Sequence, residues 1–127
     1  MREILFRGKT ESGEWEYGVP VFSGLNNELA FMKQMHSYDH QFIPSTVGQY
    51  TGLTDKNGTK IFEGDILKFA YNEEDENPNF YSVEWKSDRA CFGYAETADK
   101  MLEVDAFHCE VIGNIHDNSL EDFENGR

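Results

Sequence analysis

Between Gly52 and Phe69 the chain reads GLTDKNGTKIFEGDILKF, and this stretch restricts the fold more than any other. Asn57-Gly58 stands between two extended apolar runs. Both residues tolerate positive φ, so the pair predicts a type I′ hairpin that folds Tyr50–Leu53 back on Lys60–Phe62. Gly64 permits a sharp bend or bulge, and Asp65 can accept hydrogen bonds from nearby backbone amides. ILKFAY then continues as a strand, with Ile66, Lys68 and Ala70 opposing Leu67, Phe69 and Tyr71. Strand, tight turn, strand, bend, strand is the usual opening of a small barrel of SH3-like type. Asn57, Gly58, Gly64 and Asp65 each have a geometric role there, and none is left over that demands a catalytic one.

Elsewhere apolar residues mostly alternate and do not recur at helical spacing. Trp15, Tyr17, Val19 and Val21 form a period-two run after the Ser12-Gly13 turn. Pro20 lies inside it, which implies an edge strand or a bulge. Ser23–Asn27 is a turn cluster, and Leu29 and Phe31 share a face beyond it, so residues 2–33 read as a meander of short strands. NEEDENPN, Asn72–Asn79, reads as an exposed, mobile loop. FYSVEWK and ACFGYAE flank Ser87–Arg89 as a second hairpin. Tyr81, Val83 and Trp85 share one face there, and Cys91, Gly93 and Ala95 share one on the partner strand. TADKM is a polar connection with room for one helical turn, and HCEVIGNI is a last strand with Val111, Gly113 and Ile115 on one side. Asn118 or Ser119 can cap a short helix through Phe123. The expected fold is mainly β with little helix: a short antiparallel meander over 1–48, a small, partly open SH3-like barrel over 49–117, and an acidic tail over 118–127. The same boundaries are compatible with one compact domain.

The 127 residues suffice for a core without staples, since a chain this size buries roughly two-thirds of its unfolded surface. An aromatic share of 14% favours order and strands. The net charge of -13 repels nucleic acid and anionic lipid. It suits a well-solvated surface, or a mimic of a polyanion on another protein. Cys91 and Cys109 are the only cysteines, too few for a secreted disulfide framework. The start MREILFRGK is too short and charged for an export signal, and no apolar run approaches the roughly 20 residues of a membrane span. These features point to the cytoplasm and away from membranes.

Residues with chemistry to offer do not assemble into a motif. His36, Asp39 and His40 in HSYDH have helical ligand spacing but no fourth ligand at a telling distance. His108, Cys109 and His116 lie in or beside a strand, where neighbours point to opposite faces. Cys91 and Cys109 suit core space as small hydrophobes. DENPNF begins like a calcium loop at Asp75, Asn77 and Asn79, but Phe80 and Lys86 stand where the pattern needs Gly and Glu. With 24 acidic residues, any chosen carboxylate pair is uninformative. No nucleophile motif or phosphate loop occurs. No metal or other cofactor is therefore expected. The hairpin tip carrying Trp85, Lys86, Arg89 and Phe92 is the candidate ligand surface, by analogy with how such barrels use hairpin tips.

TVGQYTGLTDKNGTKIFEGDILKF, the late EVIGNI and the opening REILFRGKTESGEWEYG together resemble the YopX family of phage and prophage proteins. One departure is Ser45, where members often carry an acidic residue. The resemblance implies a mainly β fold and a phage or prophage origin in a bacterial host. It makes Thr46, Gly48, Gly52, Gly58, Gly64, Asp65 and Gly113 structural and supplies no reaction, ligand or active site. The resulting expectation is a non-enzymatic phage accessory protein that binds a host or phage protein, with a homo-oligomer left open. Two rival readings are a nucleic-acid-associated small β-barrel module, which the charge disfavours, and a small metal-dependent hydrolase.

Overall fold

The computed structural model describes residues 3–22, 29–33 and 42–124, with backbone alone for 20–22 and 29–33. The chain divides into two compact units, Met1–Tyr50 and Thr51–Arg127.

In the first unit β1 (Phe6–Lys9), β2 (Trp15–Phe22) and β3 (Leu29–Lys33) form an antiparallel meander. The start of β4 (Gly48–Thr54) pairs on the far side of β1 through Phe6↔Gln49 and Arg7↔Gly48. β2 pairs with β1 through residues 15–18 and with β3 through residues 19–22, and Tyr17 and Val19 of its period-two run are exposed. The ladder with β1 ends at Gly18, so Pro20 lies where β2 is paired with β3 alone, opposite Met32. The register shifts one residue later, between Val21 and Phe22. A short 3-10 turn, Pro44–Thr46, is fastened to β1 by one hydroxyl. Thr46 Oγ1 donates to Ile43 O (2.6 Å) and accepts from Lys9 N (2.8 Å). Arg7 is buried, with its guanidinium 4.7 Å from the Trp15 ring centre.

In the second unit β4 continues beside β5 (Lys60–Phe62). A four-stranded antiparallel sheet follows in the order β8-β7-β6-β9, built from β6 (Asp65–Phe69), β7 (Asn79–Lys86), β8 (Cys91–Tyr94) and β9 (Cys109–Asn114). Two short helices complete it, α1 (Glu103–Ala106) and α2 (Leu120–Glu124). The fold is mainly β with little helix, as expected, but the sheets are not closed into a barrel. β8 and β9 stand at opposite edges, and the chain between them turns into α1 rather than supplying a closing strand. Ile61, Leu67, Val83, Tyr94, Met101, Ala106 and Cys109 form the core.

Both turns of the opening stretch are architectural, and one differs from its expected form. Gly58 has φ +83, but Asn57 does not have positive φ, so the loop is not type I′. Gly58 N donates to Asp55 O (3.0 Å) and Asp55 N to Thr59 O (2.8 Å), which makes a type I turn closed by a left-handed glycine. The cause is Asp55. Its Oδ1 accepts from Asn57 N (2.8 Å) and Thr59 N (2.9 Å), which draws the turn around the carboxylate. The Thr10–Glu14 loop is closed in the same way, with Gly13 at φ +93 and Thr10 Oγ1 accepting from Glu14 N (3.1 Å). At the second turn Gly64 has φ +91 and Asp65 Oδ2 accepts from Phe62 N (2.7 Å), as expected. Gly64 N also donates to Val83 O, and Gly64 O accepts from Ile115 N, both at 2.8 Å.

Three other expectations change in detail. The second hairpin loop is four residues, Ser87–Ala90, with Ala90 at φ +51, so Phe92 faces Trp85 and Tyr94 faces Val83. A bulge opposite Ile66-Leu67 places Gly113 beside Ile66 and Val111 beside Leu67, so Val111 and Gly113 do not line one side. The helical turn comes at α1, after TADKM. At the tail Ser119 is the helix cap: its Oγ accepts from Glu121 N (3.3 Å), and its amide donates to Asp122 Oδ2 (3.0 Å).

Two substitutions test this account. Asp55→Ala should cost at least about 3 kcal/mol in a urea melt, because backbone amides bonded to a buried carboxylate lose their acceptor. Gly58→Val should cost roughly 1–3 kcal/mol through backbone strain, and an unchanged midpoint would contradict the turn assignment.

Candidate ligand surface

The hairpin tip brings its aromatic pair together but not its cations. The Trp85 and Phe92 rings meet edge to face at 5.0 Å, with Trp85 44% exposed. Lys86 lies on the other face of β7 and is bonded internally, to Glu84 Oε1 (2.5 Å) and Thr97 O (2.8 Å). Arg89 Nη1 donates to Ala98 O. The two cations therefore brace the 97–98 segment against the hairpin. Glu84, Asp88 and Glu96 line the same shallow hollow, which leaves it without cationic character.

His36, Asp39 and His40 lie outside the described residues. Among the described residues, no group of three or more His, Cys, Asp or Glu is placed to hold a metal ion. Cys109 is wholly buried, and its Sγ donates to Ala106 O at 3.5 Å. Burial first, then the charges of Asp55 and Asp105, push its thiol from 9.0 up to about 12. His108 is exposed, on the chain just before this buried sulfur. Cys91 is half-buried at the start of β8.

The acidic loop after β6 is exposed, as expected, with Tyr71 98% accessible. It is held by local bonds: Asp75 accepts from Tyr71 N (2.8 Å) and Asn77 N (2.9 Å), and Asn72 Oδ1 from Glu74 N (2.8 Å). Those amides hold the Asp75 carboxyl below its usual range. A cleft of about 840 Å³ lies against this loop and includes Phe80, Ile112 and Phe123. Phe80 and Phe123 stack on each other at 6.2 Å, so α2 is packed on β7.

A second cleft, about 420 Å³, was not legible in the sequence. Its rings are Phe69 of β6, Tyr81 of β7 and Tyr94 of β8. They contact one another at centroid distances of 5.9 Å (Phe69–Tyr81), 5.6 Å (Phe69–Tyr94) and 5.4 Å (Tyr81–Tyr94). Its rim is Asp99, Lys100, Leu102 and Asp105. Asp105 Oδ2 accepts from Tyr94 OH (3.2 Å) and Leu102 N (3.1 Å), which ties α1 to the sheet. Burial, then the Asp105 charge and hydrogen bond, raise the Tyr94 phenol well above its ordinary value, so it stays a donor. The rim approaches so closely because β8 carries glycine: a Cβ on Gly93 would stand 2.5 Å from Asp99 O. Leu102, Val104 and Phe107 around α1 are 48%, 56% and 62% exposed. The β7–β8 register was the missing signal, since it alone brings Tyr94 beside Tyr81.

A family model described as YopX protein matches residues 6–121. Among solved structures, protein EF1440 from Enterococcus faecalis has a TM-score of 0.65 to this chain at 24% identity, covering 93% of this chain and 96% of that one. At that identity the likeness speaks for the fold alone. No curated protein matches the chain.

Thiol reactivity checks the burial assignments. In native protein at pH 8, Cys91 should react with a chromogenic disulfide reagent, and Cys109 should react only on unfolding. Because the folded Cys109 thiol ionises near 12 against 9.0 for the unfolded group, its stabilising contribution is full below pH 9 and falls as pH rises toward 12. Two thiols titrating rapidly in the native state would contradict the core placement.

Proposed function

This chain belongs to the YopX family, and on that premise we propose that it is a phage or prophage accessory protein that acts by binding another protein, without catalysis of its own. The observation that supports this is the α1 segment. Leu102, Val104 and Phe107 present exposed apolar side chains within six residues, beside a cleft floored by aromatic rings. Exposed apolar side chains that lie together form the kind of patch that protein partners cover. The family resemblance supports the phage or prophage origin and, with it, action in the cytoplasm of a bacterial host. No helix among the described residues is long and apolar enough to cross a membrane.

The rival nucleic-acid reading loses its best support at the hairpin tip. Non-specific binding depends on lysine and arginine neutralising phosphates. Lys86 and Arg89 instead bond to Thr97 O and Ala98 O, with acidic side chains around them.

The test is capture from a lysogenic or infected host with mass spectrometry, wild type against Leu102→Asp/Phe107→Asp. A partner retained by the wild type and lost by the double variant is expected. Equal capture by both would remove α1 from the interface. Random duplex DNA should show no measurable binding by fluorescence anisotropy at about 150 mM salt, near physiological ionic strength. Micromolar binding that weakens steeply with salt would favour the nucleic-acid reading.

A further inference from the structure

We propose that the aromatic cleft beside α1 receives a cationic side chain, arginine or lysine, from the protein partner. This rests on the protein-binding reading above and gives it a chemistry. The cleft joins two features that favour a cation. Phe69, Tyr81 and Tyr94 supply aromatic rings, whose faces attract ammonium and guanidinium groups. Asp99 and Asp105 supply carboxylates at its rim.

Asp105 is held for such a role. Tyr94 OH and Leu102 N both donate to its Oδ2, which fixes the carboxylate while leaving acceptor positions unused. Asp99 is exposed and is held over the cleft by its own backbone, since Tyr94 N donates to Asp99 O at 3.3 Å. Among the described residues, Lys100 is the one basic residue lining the cleft, so the two carboxylates leave a local excess of negative charge. The net charge of -13 extends that field outward and draws a cation in.

Other occupants fit less well. A neutral apolar group would cover two carboxylates without replacing their lost hydration. An anion would meet both carboxylates, and Lys100 could offset one of them. The volume of about 420 Å³ lies within the roughly 300–1,000 Å³ usual for ligand pockets and accommodates one long side chain. The source is a protein because Leu102 lines the cleft and Val104 and Phe107 lie close along the chain, all exposed. Residues flanking a basic side chain can cover them, whereas a free small cation cannot.

The probes are the capped peptide acetyl-Gly-Leu-Arg-Leu-Gly-amide and its citrulline twin, which keeps the shape and loses the charge. Each is titrated into full-length labelled protein while the ring resonances of Phe69, Tyr81 and Tyr94 are followed by NMR. The arginine peptide should shift these rings saturably, and the citrulline peptide should bind clearly more weakly. Asp99→Asn should weaken the arginine peptide and Lys100→Gln should strengthen it, each by about two- to fivefold, the range for an exposed ion pair. Equal shifts from both peptides, no shift from either, or a Lys100→Gln variant that binds no better would overturn the proposal. Ring shifts absent while Leu102- and Phe107-dependent capture persists would remove the cleft's chemistry and leave the protein-binding reading. Arginine-selective shifts with no partner captured would do the reverse.

Discussion

One carboxylate, that of Asp55, holds together parts of the second unit that are far apart in sequence. It is 4% exposed and accepts from the amides of Asn57, Thr59 and Val111, the last at 2.9 Å and 56 residues away. Buried charge is costly unless its lone pairs are used, and here backbone donors use them. The same side chain therefore shapes the β4–β5 loop and fastens it to β9. Lys56 N adds a bond to Cys109 O at 3.1 Å. β9 is the last strand of its sheet, and this loop lies along its outer edge. Amide and carbonyl groups that would otherwise template pairing with another chain are capped from within. The bulge in β9 falls between Val111 and Gly113, next to the amide that Asp55 takes.

That arrangement shows why part of the fold could be read from sequence. Gly58, Gly64 and Asp65 were legible because their roles are local: positive φ, or an acceptor three residues from its donor. The type I′ form was not, because Asp55 competes for the same turn and its anchor on β9 is invisible in a linear string. Alternation revealed the strands, but whether sheets close depends on which edges meet. Register was the most fragile inference. Nothing in SDRA announces that Ala90 adopts φ +51 and lengthens the loop by one residue, yet that residue decides which β8 side chains share a sheet face with Val83 and Trp85.

The candidate site divides in the same way. Trp85, Lys86, Arg89 and Phe92 stood out as aromatics and cations on a predicted tip, and the aromatic pair is real. Besides Glu84, the partners of the cations are backbone carbonyls of Thr97 and Ala98, which carry no side-chain signature. The cleft was illegible for a related reason. Its rings come from three strands and its carboxylates from a fourth segment, and none is unusual alone.

The two levels meet at Tyr94. The β7–β8 register sets it opposite Val83 and against Tyr81, where its ring joins the core and its hydroxyl reaches Asp105. Asp105 in turn caps α1 through Leu102 N, so α1 sits where the register of the hairpin puts it. Gly93, next to Tyr94, lets the Asp99 carbonyl approach β8 and bridges Lys100. A core residue, a helix cap and the rim of a cleft thus share one hydrogen-bond chain. An α1 of only four residues is too short to hold its own conformation in water. Its apolar side chains are presented in a fixed place because Tyr94 and Asp105 hold the turn, which lowers the entropy a partner would otherwise have to remove on binding.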